Sequence, residues 1–484
     1  MKNITIIGAG LGGLTAGALL AKRGYKVTIL EQHSIVGGCA TTFKRKGGFV
    51  CEVGLHEMEG VYSNSSVVKI FEELDVYKHV EFVKVNEFFE VRTKKGIFRM
   101  PNGLEEAQKA LITKFPKESR GIEKYFKILT IIGTKLEKLQ NPSWYHFALF
   151  PFLFTEILLY KPKSVRDILD KLFKDEELKL ILNANVQYYN DSPDTLSFLL
   201  HAVAQYSYFK GGGYFIKGGS GRLSEHLADV IRQNGGEVLT STTVVKADLK
   251  AIEYINKKER HVLEHYELIS NLSPQQTYKL YCLPYIEKKP LGNSLLTIYL
   301  GFSQNLKEVY GERAYSNFIF DELASVDDFN KMSKKDVLDK QAFTFVDYSQ
   351  VDSALTKDAT KSFGVITMID EIADWESLTQ EQYEEKKEKL IEISVQKLEK
   401  YYPNISNLIE YSEVGTAKTV KSYIKTPNGT AYGFKPTPKE FFRVPKVKSN
   451  KVKNLYFVGQ WVIAGGFSPA IVSGGLCVKI LCSH

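Results

Sequence analysis

Six residues close to the N-terminus, Gly8-Ala9-Gly10-Leu11-Gly12-Gly13, have the spacing that lets backbone rather than side chains take hold of phosphate. Gly8 allows a tight turn, Gly10 leaves room for a pyrophosphate to approach the main chain, and Gly13 lets a helix pack closely on a strand. Gly12 falls within the same turn. Glu31 is placed to accept from ribose hydroxyls, and an acid there argues against a 2′-phosphate. The chemistry implied is capture of an adenine dinucleotide. Holding these residues in place requires a strand that ends at the turn and a helix that leaves it. Residues 4–7 suit the strand, 14–23 read as the helix with Gly24 as its stop, and 25–30 read as a second strand delivering Glu31. The helix N-terminus then offers free N–H groups and a positive dipole end to the phosphates.

The stretch that follows runs Gln32-His33-Ser34-Ile35-Val36-Gly37-Gly38-Cys39-Ala40-Thr41-Thr42-Phe43. A Gly-Gly pair this close behind the ribose acid resembles the second phosphate-contacting turn of the two-dinucleotide-binding-domain flavoproteins. The chain's other end agrees. Residues 454–462, with Gly459 and Gln460, read as a strand entering a turn; Gly465-Gly466-Phe467-Ser468-Pro469-Ala470 leads a helix over 471–481. This resembles the C-terminal flavin-binding signature of the same proteins, with a plain Gly-Pro turn as the alternative. The resemblance implies FAD, with Gln32, Gly37, Gly38, Cys39, Thr41, Thr42, Gly459, Gln460, Ser468, Pro469 and Ala470 along it. It also implies backbone at Val245 against the adenine, and a strand-to-loop return over 266–274, with Asn271, near the cofactor. The hairpin between those two pieces, 252–267, lacks the usual Gly-containing turn.

The expected fold is α/β: a Rossmann-type FAD-binding domain with a mixed α+β substrate domain. The cofactor domain is read as discontinuous, from residues 1–60, 215–274 and 411–484. Residues 61–214 and 275–410 are assigned to the substrate domain. There 164–182 and 380–401 have amphipathic helical patterns, and 296–302, 342–348 and 363–369 read as strands. The charges of 384–389 read as a solvated helix face. Gly211-Gly212-Gly213 precedes no suitable helix, so a second nucleotide such as NAD(P) finds no support.

Composition bounds the rest. A chain of 484 residues suggests two to three domains, and 44% hydrophobic residues supply a substantial core. Five cysteines make no C-x-x-C pair or zinc spacing, so no metal is expected and a reducing, cytoplasmic compartment is. A strand beginning at Ile4 leaves no room for a signal peptide. Cys39 is either a redox-active thiol or a small buried residue. The net charge of +8 and pI near 8.8 come with no nucleic-acid motif. That leaves a weak pull toward anionic membrane, or no functional meaning.

Taken together, Gly37-Gly38-Cys39, residues 49–60, the helix start at Gly218-Gly219, the run 426–433 and the terminal signature resemble the phytoene desaturase, carotenoid isomerase and retinol saturase family. The resemblance spans nearly the whole chain, the middle by organisation rather than motif. It implies non-covalent FAD and removal, addition or rearrangement of double bonds in long conjugated polyenes or related lipids. Many members carry Arg after the Gly-Gly pair; Cys39 here is closer to the isomerase and saturase branch. Glu52-Val53-Gly54-Leu55-His56 also looks like the saturase group's acid-x-Gly-x-His segment.

The chemistry then needs few side chains. Flavin N5 exchanges hydride, and an acid or base handles the proton. His56 is the first candidate, with Glu57 and Glu59 behind it; a packed histidine is the alternative. Tyr432 either faces the flavin or substrate or belongs to the core. A long apolar substrate calls for a membrane contact, and 144–160 is the candidate. It is aromatic-rich, is followed by Lys161, Lys163 and Arg166, and is too short and interrupted to span a bilayer. A buried helix is the other reading of that segment. Other outcomes within the same fold are an isomerase of polyunsaturated fatty acids or a flavin amine oxidase, although no clear aromatic cage for a cation is visible. Oligomeric state is left open.

Overall fold

The computed structural model of the protein describes residues 3–61, 65–140, 149–188, 192–332, 341–440 and 446–483. Five parallel strands form one sheet, in the order Leu455–Phe457, Glu267–Ser270, Asn3–Ile7, Lys26–Leu30 and Glu237–Leu239. The chain's beginning, middle and end therefore lie side by side. Ile4, Ile6, Val27, Ile29, Leu268, Ile269 and Leu455 are all buried, as a sheet covered on both faces requires.

The first helix, Leu11–Lys22, begins earlier than its pattern suggests because Gly10 is still extended, with φ −75° and ψ 171°, and no side chain caps it. From Leu11 to Ala21 it is buried all round, held between the sheet and the helices Gly221–Gln233 and Phe467–Cys482. Such packing needs small residues. A Cβ on Gly474 of the terminal helix would lie 2.8 Å from the Gly12 carbonyl oxygen, and one on Gly17 would lie 3.0 Å from Ile231 and Ile29.

A seven-stranded sheet makes the second layer system, in the order Ile409–Gly415, Ser294–Phe302, Ser362–Asp370, Phe343–Asp347, Ser316–Phe320, Glu87–Thr93 and Gly96–Pro101. Its pairs are antiparallel except Ser316–Phe320 with Glu87–Thr93. The strand Ile409–Gly415 straddles the expected boundary at 411 and pairs within this sheet. One side carries the helix Gln380–Glu399, opened by a Thr379–Gln382 capping box. The other side meets a helical cluster built from residues of Leu104–Lys114, Ser119–Gln140, Glu176–Leu182 and Phe198–Gly211. The pattern over 164–182 is two helices rather than one, Val165–Leu172 and Glu176–Leu182, because Phe173 is extended and Asp175 caps a new start. The hairpin over 251–264 turns without glycine: Lys257 and Lys258 themselves take positive φ, 48° and 72°, the backbone a tight two-residue turn needs.

One buried acid ties a small hairpin to the helix Gly221–Gln233. Thr42–Lys44 and Val50–Glu52 form a small hairpin. The Glu52 carboxylate accepts from the N–H groups of Gly54, Leu55 and Ser220 and from the Ser220 hydroxyl, at 2.6–3.2 Å. It thereby ties the 52–55 turn to the start of the helix Gly221–Gln233 and accounts for the acid-x-Gly spacing. Burial pushes this carboxyl up from 4.5 to about 7, against the pull of those donors. Its folded value thus lies above its unfolded one. The associated stability is full below the unfolded value and is lost as pH rises through about 7. Glu52→Gln cannot titrate. The wild-type protein should therefore lose stability relative to this variant between about pH 5 and pH 8 in urea unfolding; a pH-independent difference would place the titration elsewhere.

Candidate active site

Two turns that are separate in sequence touch in the fold. The Gly37 N–H donates to the Ala9 carbonyl at 2.8 Å, and Gly10 bridges to Gly37. Gly8, Gly37 and Gly38 hold φ of 93°, 111° and 61°, a region that side chains disfavour. A third stretch closes in from the C-terminus. The Gly459 N–H donates to Ser473 Oγ at 2.7 Å, and a Cβ on Gly12 would lie 2.5 Å from the Gly459 nitrogen.

Asn271 is the common neighbour of the first and the last of these turns. Added Cβ atoms on Gly8, Gly10, Gly12 and Gly459 would approach its side chain to 3.3, 2.5, 2.9 and 2.2 Å. Its own N–H donates to the Ile7 carbonyl at the strand end. Gly13 serves packing, as its spacing implies: a Cβ there would lie 2.2 Å from the Gly8 oxygen. Glu31 is buried and accepts from the N–H groups of Ala9 at 2.7 Å and His33 at 2.8 Å, while burial raises its carboxyl above the usual range.

The other expected cofactor residues fall at varied distances from this cradle. Thr41 lends its carbonyl to Val53 N–H and Ser220 Oγ, and Thr42 pairs with Glu52. Ser468 donates to the Glu59 carbonyl and to Glu59 Oε2, both at 3.1 Å, fastening the first turn of the terminal helix, with Pro469 and Ala470, to the 49–60 stretch. Gln460 abuts the Gly433 turn: a Cβ on Gly433 would lie 2.6 Å from its carbonyl oxygen. Gln32 turns outward and donates to the Tyr423 carbonyl. Val245 sits at a bulge in the small sheet of Thr242–Ala247, Ala251–Asn256 and Glu259–Glu264, and is 38% exposed.

Beyond the cradle, residues 55–59 run between tyrosines. Tyr348 donates to the Leu55 carbonyl at 2.9 Å, Tyr315 to the His56 carbonyl at 2.6 Å, and Tyr208 to the Glu57 carbonyl at 3.4 Å. The His56 ring packs on Tyr188, and its Nε2 lies 3.1 Å from Thr367 Oγ1. Its Nδ1 is buried with no partner, and burial lowers the imidazole to about 4, so it is neutral at pH 7. Burial and the nearby Glu59 push the Glu57 carboxyl well up.

Tyr432 lies against Gly465, whose added Cβ would fall 2.6 Å from the Tyr432 backbone. Burial raises its phenol, with Cys39 nearby. Cys39 itself is pushed up to about 11 and has no disulfide partner, so it is a thiol rather than a thiolate at neutral pH. Rings of Tyr299, Phe363, Tyr348, Phe215 and Tyr315 continue the wall in successive contacts. Sequence reasoning found His56, Glu57 and Tyr432 but not Tyr188, Tyr315, Tyr348 or Thr367. Thr367 lies on a strand, Tyr315 just before one, and Tyr188 and Tyr348 in two short helical turns, and none sits in a spacing that marks it.

The likeness to known proteins follows this geometry. The sequence profile of the family described as flavin containing amine oxidoreductase matches residues 11–481. The all-trans-retinol 13,14-reductase of Danio rerio is 24% identical over 98% of this chain and 85% of its own. The chloroplastic prolycopene isomerase of Daucus carota is 26% identical over 99% of this chain and 79% of its own. Among solved structures, cyclohexylamine oxidase from Brevibacterium oxydans superposes with a TM-score of 0.64 at 13% identity, covering 100% of this chain and 99% of that one; at that identity the likeness concerns the fold. With a profile that spans nearly every residue laid over a glycine cradle built from both chain ends, the chain belongs to the flavin containing amine oxidoreductase family.

Proposed function

We propose that the protein is an FAD-dependent oxidoreductase acting on carbon–carbon double bonds of a long apolar polyene, by saturation, desaturation or isomerisation. The observation that carries this reading is the wall beyond the cofactor cradle. It is aromatic, and its titratable members His56, Glu57, Tyr188, Tyr315, Tyr348 and Tyr432 are held toward their neutral forms. Such a surface suits a conjugated chain and disfavours charge. Relatives named for a retinol reduction and a prolycopene isomerisation support it. An amine oxidase reading draws on the family description and on Glu57 among tyrosine rings; relatives aligned over nearly the whole chain weigh against it.

The residues fit FAD. Gly8, Gly10, Gly12, Gly37, Gly38 and Gly459 leave backbone bare around one groove, the first helix opens there without a side-chain cap, and Glu31 waits where a ribose would lie. When bound, the flavin supplies the hydride donor or acceptor. The chain's own contribution would be to orient the substrate, exclude water and pass a proton, a role we assign to His56, which is neutral and steered by Thr367.

Loading would use the surface around 149–163; residues 144–148 of the expected membrane contact lie outside the described ones. Two short helices, Phe150–Leu153 and Thr155–Tyr160, anchor by Phe154 and Ile157 and leave Phe152 80% and Leu159 60% exposed, with Lys161 and Lys163 following. Arg166 is held by Asp194 and Asp327 and takes no part. Among the described residues no helix is long and apolar enough to cross a membrane, so contact would be interfacial.

Three outcomes test the reading. Purified protein should show a flavin spectrum, and Gly10→Val should abolish it; full flavin content in that variant would show that the cradle is misassigned. His56→Ala should keep flavin yet lower turnover per bound flavin by about 10²–10⁴-fold on a polyene whose double-bond count or geometry changes. A normal rate per flavin removes His56 from the chemistry. Phe152→Ser with Leu159→Ser should weaken binding to anionic vesicles, each buried apolar side chain being worth about 1.5–3 kcal/mol, without loss of flavin. Unchanged vesicle binding would exclude this segment from loading.

A further inference from the structure

Glu57 stands apart from every other acid among the described residues: both of its carboxyl oxygens are buried and neither has a partner. It is 8% exposed. The other buried acids nearby are well provided. Glu52 has four donors, Glu31 two, and Glu59 takes the Ser468 hydroxyl. Tyrosines that flank Glu57 do not help it, because Tyr188 donates to Ser316 Oγ at 2.8 Å and Tyr315 donates to the His56 carbonyl.

Nor is Glu57 a loose side chain that found no place. Its backbone is pinned, with Met58 and Tyr214 exchanging N–H···O bonds at 2.9 and 3.0 Å and Tyr208 reaching the Glu57 carbonyl. Across from it stands Gly213, where a Cβ would fall 2.2 Å from Glu57 Oε2. The strand thus leaves space for the carboxyl that any other residue would take. Next door, His56 Nδ1 is a second buried polar atom without a partner. Leaving such atoms unpaired is costly, and structures retain them where something else completes them.

We propose that Glu57 anchors a hydroxyl head group on an otherwise apolar substrate, a reading that rests on the lipid function above. Burial and Glu59 push the carboxyl toward its protonated form, in which it offers one donor and one acceptor. A hydroxyl offers the same pair in reverse. A hydrocarbon would leave both oxygens unpaired. A carboxylate head finds no cation among these groups, and an ammonium would have to ionise a carboxyl that its surroundings hold neutral.

Matched probes on the flavin-loaded protein test this, with protein fluorescence quenching as the readout. All-trans-retinol is compared with axerophthene, the same polyene lacking the hydroxyl, and with retinylamine; linoleyl alcohol is compared with the corresponding diene. In the wild type the alcohol of at least one pair should bind about tenfold or more tightly than its hydrocarbon. Glu57→Leu should erase that preference with flavin content intact, and Glu57→Gln, which also donates and accepts, should keep much of it. Gly213→Ala, which displaces the carboxyl without removing it, should weaken the preference even if Glu57→Leu does not fold. Equal binding within both pairs by the wild type, or a preference that survives in Glu57→Leu, overturns the proposal. So does loss of flavin in both Glu57 variants, which would put the carboxyl on the cofactor, and so does tighter binding of the amine than the alcohol. If no member of either pair binds, the lipid function itself fails, an outcome distinct from equal binding.

Discussion

Everything in this molecule hangs on a contact made almost without side chains. The turn after the first strand closes on the Gly37-Gly38 turn on one side and, with Asn271, on the Gly459 turn on the other, with separations too short for a Cβ at Gly10, Gly12 or Gly459 unless a neighbour moves. The contact is least forgiving at Gly12, which meets the Gly459 backbone, because backbone cannot step aside as the Asn271 side chain beside Gly10 and Gly459 can. It also explains why the first helix is buried on all sides and begins at Leu11 without a capping residue. The helix is a wedge between the sheet and two other helices, and its open end is left for an anion.

From that wedge, order spreads through fastenings of buried polar groups. Glu52 joins the small hairpin to the helix Gly221–Gln233, and Ser468 joins the terminal helix to Glu59. Residues 52–59 are thus pinned at both ends. Between the pins, Tyr348, Tyr315 and Tyr208 hold three successive carbonyls. Tyr208 comes from the helix Phe198–Gly211; the seven-stranded sheet contributes mainly through Thr367 and through Tyr315 and Tyr348 beside its strand ends. Its role is to bring rings to a loop whose path is already set.

How far this could be read from the residues varied with the kind of signal. The nucleotide turn, Glu31 and the strands around 296–302, 342–348 and 363–369 were legible, because each combines local pattern with local geometry. Asn271 was legible as a position but not as the meeting point of two turns, since its neighbours come from both ends of the chain. The split near Phe173 was hidden because apolar spacing continues across it, and only Asp175 as a cap marks the new start. The 251–264 turn looked deficient without glycine, yet Lys257 and Lys258 adopt left-handed backbone directly. The tyrosine wall left no trace at all. Tyr188, Tyr315 and Tyr348 are unremarkable in their own segments and meet only through tertiary packing.

The place of Leu455–Phe457 at the edge of the five-stranded sheet has a consequence for how the molecule is made. The first strand is synthesised long before its sheet's edge strand Leu455–Phe457 and the Gly459 turn that closes the cradle. A chain stopped before Leu455 carries the early turn but lacks both that edge strand and the Gly459 turn. Pairing between such distant segments is slow to find. The cradle is therefore a long-range construction, complete only when segments from both halves of the sequence have met.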